Sequence, residues 1–257
     1  MSTTPIITPT ANSAELAYYE YLSRMWWDNK TSVASLHRMN AIRIPWVVET
    51  LIKLGIAKNE FVNTDQPLQD LLILDAGCGG GFVTEALAPY GCTVVGLDIC
   101  SEILEVAKAH AALDPSLTKN ITYVLQCIEE HAEKNPEKYD AVIAFEVLAH
   151  LNEPELFLES CVKCLKPDKP IFVATFNRTI ASFFLSIVFA EYIWGFIPRG
   201  THNWFRFSYP NEIQEILEKN KCKVQEIRGQ LYNFLSKTWH WSGIQALKFS
   251  MYAIKKK

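Results

Sequence analysis

The stretch Leu71-Leu-Ile-Leu-Asp-Ala-Gly-Cys-Gly-Gly-Gly81 decides how this chain is read. Its four leading apolar residues have the length and character of a buried strand. Asp75 follows, then Gly77, Gly79, Gly80 and Gly81, and from Phe82 to Ala88 the pattern becomes helix-compatible. Glycines at such a corner let the backbone turn tightly and lie directly against a ligand, with no Cβ between. The dinucleotide fingerprint G-x-G-x-x-G would need a glycine at 82, where Phe82 stands. The next apolar run, Cys92-Thr-Val-Val-Gly-Leu-Asp98, ends on an acid about twenty residues beyond the glycines, where a ribose diol takes a carboxylate acceptor. An early Asp-x-Gly-x-Gly followed by a strand-terminal acid fits S-adenosylmethionine better than NAD. The plain alternative is a tight β–α corner with no ligand.

Outward from this corner, apolar runs and helical patterns alternate. Strands are expected at 71–75, 92–98, 121–125, 139–145 and 170–176, with helices at 82–89, 101–112 and 153–165 between them. That alternation predicts βαβ units and a mostly parallel sheet covered on both faces. A helix at 210–219 and strands near 222–228 and 245–254 complete it. Upstream, residues 1–13 are polar and Thr/Pro-containing and are expected to be disordered. Ser13 to Met25 reads as a helix with Ser13 as its N-cap. An irregular stretch then runs to Asn40, and Ala41 to Leu54 reads as a second helix with Pro45 within its first turn or so, where proline is tolerated. The organisation expected is one domain over 14–257 with an N-terminal helical cap over 14–60.

One segment breaks the alternation. Thr179 to Ile197 is strongly apolar, flanked by Arg178 and Arg199, but carries Glu191 and Gly195 in its second half. A spanning helix needs about twenty apolar residues, and here the sheet still needs the sequence that follows. Two readings stay open: an ordinary buried helix, or a helix lying on a bilayer surface with Trp194 at the interface. The insertion as a whole is placed at 177–206.

Bulk properties bound the function. A length of 257 residues with 49% hydrophobic content is ample for one large α/β core. The formal net charge of −3 supplies no basic field and argues against nucleic acid as a partner. Seven cysteines, an odd number scattered through apolar runs, point to buried thiols in a reducing compartment. Cys161 and Cys164 form a C-x-x-C on a helical pattern with no second pair, so a zinc or redox role is not expected of them. Met1 to Ala14 contain neither an arginine nor a long apolar run, and read as neither a secretory signal nor a mitochondrial presequence.

Beyond the glycine corner, several elements are more specific. They are Trp26-Trp27-Asp28, Leu36-His-Arg-Met-Asn40 with Arg43, Glu129-Glu-His131 and Phe145-Glu-Val-Leu-Ala-His150. Asn177-Arg178, Pro198-Arg-Gly-Thr-His202, Leu231-Tyr-Asn233 and Trp239-His-Trp-Ser242 continue the series. Together they resemble the ubiquinone-biosynthesis O-methyltransferases, which act on polyprenylated catechols, over about residues 15–254. The resemblance implies a class I S-adenosylmethionine-dependent methyltransferase with a seven-stranded, mostly parallel sheet. It implies a polyprenylated catechol or demethylubiquinol as substrate, a peripheral place on a membrane surface, and a ubiquinone-biosynthesis complex as a partner. The implied location is the matrix face of the mitochondrial inner membrane, or the cytoplasm and inner membrane of a bacterium.

The site residues follow from the same resemblance. Arg43 would reach the methionine carboxylate of the cofactor, a pairing that suits a guanidinium. Gly77 and Gly79 would give close backbone approach, Asp98 would hold the ribose hydroxyls, and Phe145 would contact the cofactor at the end of the fourth strand. The family's metal site is an acid–x–x–acid–His run, for Mg²⁺ or Zn²⁺. Glu146 and His150 match it, but Ala149 stands where a carboxylate is expected. An intact site would lower the pKa of a catechol hydroxyl and orient one oxygen toward the methyl group. Losing one of three protein ligands weakens a hard cation's hold considerably. His150 and His202 are the candidate general bases. Lys166-Pro-Asp-Lys169 departs from the two glycines usual after that proline, in a turn away from the site. Two rivals remain open: a non-catalytic member that binds cofactor and supports a complex, and a methyltransferase for another small molecule.

Overall fold

A computed structural model describes residues 8–10, 19–28, 33–193, 203–233 and 235–257. The strands are β1 (Leu72–Ala76), β2 (Thr93–Asp98), β3 (Ile121–Leu125), β4 (Ala141–Phe145), β5 (Pro170–Phe176), β6 (Cys222–Asn233), β7 (Thr238–Ser242) and β8 (Lys248–Lys255). They form one sheet in the order β3-β2-β1-β4-β5-β8-β6-β7. The first five are parallel, and β8 inserts antiparallel between β5 and β6. The order reverses at β1 and β4, and a crevice opens there at the carboxyl ends of the strands, where ligands of open α/β sheets bind.

The central strands β1, β4, β5 and β8 are buried on both faces. On one, helices Ile128–Lys134, Pro154–Cys164 and Pro210–Lys219 contribute Ile128, Ala132, Phe157, Leu158, Ile213 and Leu217 to the core. On the other, helices Ala34–Lys53 and Phe82–Leu87 contribute Trp46, Val47, Leu51, Val83 and Leu87. The parallel strands accordingly carry continuous apolar runs rather than alternation. All seven cysteines are buried free thiols.

Three expectations change. The sheet has eight strands rather than seven, because Thr238–Ser242 pairs with β6 from Gly229↔Ser242 to Asn233↔Thr238. The helix expected at Ala41–Leu54 begins at Ala34, so Pro45 lies in its interior. Remote residues hold its first turns: the Trp239 indole donates to the Ser35 carbonyl, and Met39 packs with Trp239 and Leu247. That tertiary docking outweighs the hydrogen bond proline removes. The third change is the helix Ile128–Lys134, which the strand-helix alternation left out. Ser13, the expected N-cap, lies outside the described residues, as do Trp194 and Pro198-Arg-Gly-Thr-His202.

The apolar segment leaves β5 through a short helix, Ile180–Ser182, and continues as a π-helix, Phe183–Ile193. Its polar residues Ser182, Ser186 and Glu191 are buried, whereas Ile180, Phe183, Phe184, Tyr192 and Ile193 are exposed. Among the described residues, no helix is long and apolar enough to cross a membrane.

Candidate active site

The glycine corner carries the backbone past the end of β1 into helix Phe82–Leu87. Gly77 and Gly79 sit at φ +78° and +52°, a left-handed region open chiefly to glycine. A Cβ on Gly77 would also come within 2.6 Å of Val147 Cγ2. The corner is anchored to β2 by bonds from the Gly77 and Cys78 amides to the Leu97 carbonyl, at 2.8 and 3.0 Å. Asp98 ends β2 and ties the loops together, accepting from the Gly79 amide at 2.9 Å and the Cys100 amide at 3.0 Å. Burial pushes its carboxyl upward in pKa against those hydrogen bonds. Asp75 is 2% exposed, accepts from Thr84 Oγ1 at 2.6 Å, and is raised by burial to about 7.

The second half of the site comes from β4 and the elements over it. Phe145 ends β4 and is stacked against the Arg43 guanidinium, 5.1 Å from ring centroid to Cζ. Glu146 follows at φ +60°, a conformation that strains a residue with a Cβ and is found where structure overdetermines it. Arg43 Nη2 and Lys248 Nζ donate to its two carboxylate oxygens. Arg43 also donates to Gln230 Oε1 at 2.9 Å. Burial alone would raise the Glu146 carboxyl, but the charges of Lys248 and Arg43 outweigh it and hold it down at about 2. Burial lowers the Lys248 ammonium to about 8 against the pull of Glu146. The carboxylate faces two cations, so its ionisation is the firmer of the two.

Arg43, Gly77, Gly79, Asp98, Phe145, Glu146 and His150 all line one cleft. Arg43 is 2% exposed, so its guanidinium is held in the cleft wall and not in solvent. Among the described residues its buried Nε has no hydrogen-bond partner. A buried donor left unpaired costs free energy, and an anion in the cleft would satisfy it. The cleft therefore fits a cofactor with a carboxylate at the Arg43 end and a hydroxylated ring at Asp98. His150 closes a short 3₁₀ turn, Leu148–His150, and its ring meets Tyr19 edge-on at 5.3 Å. Thr10 also reaches the cleft, donating to Glu129 Oε1 at 2.7 Å. His202 lies outside the described residues.

The donor set does not fit a divalent cation as folded. Glu146's oxygens are engaged by two cationic side chains, Ala149 offers no ligand, and His150 alone remains. Among the described residues, no group of three His, Cys, Asp or Glu side chains is placed to hold a metal ion. The ammonium and guanidinium already neutralise the Glu146 carboxylate and would repel a dication, which Glu146 and His150 alone would have to hold. Sequence reasoning passed over Lys248 and Gln230. For Lys248 the signal was a lysine inside the apolar run expected as a strand at 245–254, whereas Gln230 lies beyond the strand expected at 222–228 and is buried because β6 runs on to Asn233.

A β3-β2-β1-β4-β5 parallel core extended by β8 running antiparallel between β5 and β6, with a glycine corner that has Phe82 where the dinucleotide fingerprint has its third glycine, is the architecture of a class I S-adenosylmethionine-dependent methyltransferase. The family described as "Methyltransferase domain" matches residues 74–173. The magnesium protoporphyrin IX methyltransferase of Synechocystis, solved with bound SAH, has a similar fold. Its TM-score is 0.64 at 20% identity, covering 95% of this chain and 96% of that one. The mitochondrial ubiquinone biosynthesis O-methyltransferase of Rattus norvegicus is 39% identical over 96% of this chain and 70% of its own length. The Homo sapiens protein is 40% identical over 96% of this chain, which spans 66% of it. The ubiquinone biosynthesis O-methyltransferase of Paracidovorax citrulli is 34% identical, with 95% of each chain covered. The chain belongs to the ubiquinone biosynthesis O-methyltransferase family, and it is an S-adenosylmethionine-dependent O-methyltransferase.

Proposed function

We propose that the chain methylates a phenolic oxygen of a polyprenylated catechol or demethylated quinol. When bound, S-adenosylmethionine supplies a sulfonium methyl whose S–C electron pair stays on sulfur as the acceptor oxygen's lone pair forms the new C–O bond. Arg43 holds the cofactor's carboxylate through its spare Nε, Asp98 its ribose diol, and the Gly77–Gly79 backbone lies against it. Phe145 and Glu146 form the wall facing the acceptor. The His150 imidazole takes the proton released by the reacting hydroxyl. Alignment then supplies most of what an in-line displacement needs. No step is routed through a metal, because the donor set does not fit one.

The observation that carries the substrate class is the exposed aromatic face of 180–193. It leaves the carboxyl end of β5, at the edge of the sheet that bears the cleft. Ile180, Phe183, Ile187, Trp204 and Phe205 line a shallow groove there. A helix with polar residues inside and Phe183, Phe184 and Ile193 outside suits an acyl-chain environment, or an isoprenoid tail emerging from one. On this reading the protein is peripheral on the membrane that holds its substrate. That membrane is the matrix face of the mitochondrial inner membrane, with a bacterial inner membrane as the alternative. A ubiquinone-biosynthesis complex would be its partner.

The test is methyl transfer from S-adenosylmethionine, labelled in the methyl group, to a short-tailed demethylated quinol and to simple catechols. Labelled ether product with a preference for the prenylated ring is expected. Cofactor binding without transfer to any of these rings would overturn the assignment.

A further inference from the structure

Glu146 is where the family's metal site and this fold diverge. Lys248 is the first residue of β8, in register with Phe176 at the last position of β5, so it stands at the carboxyl edge of the sheet beside Glu146. Its side chain is 3% exposed, its ammonium bonds to Glu146, and it lies 3.4 Å from the centroid of the Phe176 ring. A lysine is almost never buried without a partner, and this one is held by a carboxylate and an aromatic face.

We propose that Lys248 takes the place of the divalent cation implied for this site. It locks Glu146 as an anchor for the non-reacting hydroxyl of the substrate, so that methyl transfer runs without metal. The proposal rests on the O-methylation reading above. Charge supports it. With Arg43 counted toward the cofactor's carboxylate in both cases, two carboxylates and a divalent cation sum to zero, and so do Glu146 and the Lys248 ammonium with alanine at 149. An ammonium beside a site built for a dication would repel it, so Lys248 and Ala149 are consistent with each other and jointly inconsistent with a metal. A metal template would chelate both catechol oxygens. Here Glu146, pinned by Lys248 and Arg43, accepts a hydrogen bond from one hydroxyl through a remaining lone pair. The neighbouring oxygen is then turned toward the methyl group and His150. The methyl moves from sulfur to that oxygen, the S–C pair stays on sulfur, and the phenolic proton passes to His150. Lys248 works through Glu146 and is a positioning residue.

The experiment pairs turnover with calorimetry. Wild-type protein treated with chelator should methylate a short-tailed catechol at an unchanged rate, and Mg²⁺ or Zn²⁺ should neither bind stoichiometrically nor accelerate it. Lys248→Met should raise KM for the catechol at least tenfold while leaving S-adenosylhomocysteine affinity, a check on folding, within about twofold. Lys248→Arg, which keeps the charge, should recover most of the loss. Lys248→Met combined with Ala149→Glu should gain Mg²⁺ binding by calorimetry. Stoichiometric Mg²⁺ or Zn²⁺ binding to wild type that Glu146→Gln abolishes, or turnover lost to chelator and restored by metal, would overturn the proposal. So would a double variant that folds but gains no metal binding. If no catechol or quinol is methylated by a protein that binds cofactor, the substrate reading falls. Calorimetry on wild type and the double variant then still decides whether Lys248 fills the cation's place.

Discussion

Two carboxylates in the cleft have separable roles. Asp98 has both oxygens engaged by backbone amides, yet each keeps a lone pair for a hydroxyl donor. Asp98→Ala should weaken S-adenosylmethionine binding by about 1.5–3 kcal/mol, the worth of hydrogen bonds to a charged group. Unchanged affinity by calorimetry would take Asp98 out of the cofactor site. Asp75 is different, because burial raises it to about 7. Its folded form holds a proton that the unfolded chain, near 3.8, would release. Its own contribution to stability is therefore present at low pH and lost as pH rises through about 7. A cationic cofactor favours the ionised form, so binding should expel that proton. Affinity should rise from pH 6 to about pH 7.5 and level off above, and Asp75→Asn should flatten the slope. A flat profile in wild-type protein would show that Asp75 does not sense the cofactor's charge.

At the scale of elements, the segment 180–193 inverts the usual rule of burial. Ser182, Ser186 and Glu191 face inward, and Phe183 and Phe184 remain 38% and 48% exposed. Exposed aromatics in that number mark an interaction surface rather than scattered surface apolars. The protein should co-sediment with liposomes, and Phe183→Glu with Phe184→Glu should abolish this with the sheet's circular dichroism unchanged. If wild-type protein stays in the supernatant with neutral and anionic vesicles alike, the face belongs to the substrate's tail alone. The helix Ala34–Lys53 shows the reverse case, in which packing makes a helix where local signals place a boundary. Its span from 34 to 40 reads as irregular in sequence because Pro45 looks like a first-turn residue. Trp239, some two hundred residues away, closes over that span.

For the molecule as a whole, the Arg43–Glu146–Lys248 triad joins three distant elements: an N-terminal helix, the end of β4 and the start of β8. Glu146's carboxyl falls from its ordinary 4.5 to about 2 in the folded state. A depressed acid contributes stability that is complete above pH 4.5 and is lost as pH falls through about 2. Urea melts should therefore show stability dropping across that window, and Glu146→Gln should blunt the drop. At pH 7 the same substitution leaves two buried cations facing each other without a carboxylate. It should destabilise the protein by about 3–5 kcal/mol. A loss below about 1 kcal/mol would mean that the cavity relaxes and hydrates both cations.

Much of this protein was legible from its residues. The glycine corner, the acid ending the second strand and the strand-helix alternation rest on local chemistry. A turn needs glycine where φ is positive, and a parallel strand buried on both faces needs an unbroken apolar run. Those features carried the sheet core, the cofactor class and a cleft that gathers Arg43, Gly77, Gly79, Asp98, Phe145, Glu146 and His150. What only tertiary structure decided involves partners far apart in the chain. β7 exists because β6 offers it an edge, since Thr238–Ser242 is too short to be a strand alone. The sequence shows at Ala149 that a carboxylate is missing, but not that an ammonium meets Glu146, because Lys248 lies about a hundred residues away and reaches it only when β8 pairs with β5. Charge pairing at close range is a property of the fold, and no spacing along the chain reports it.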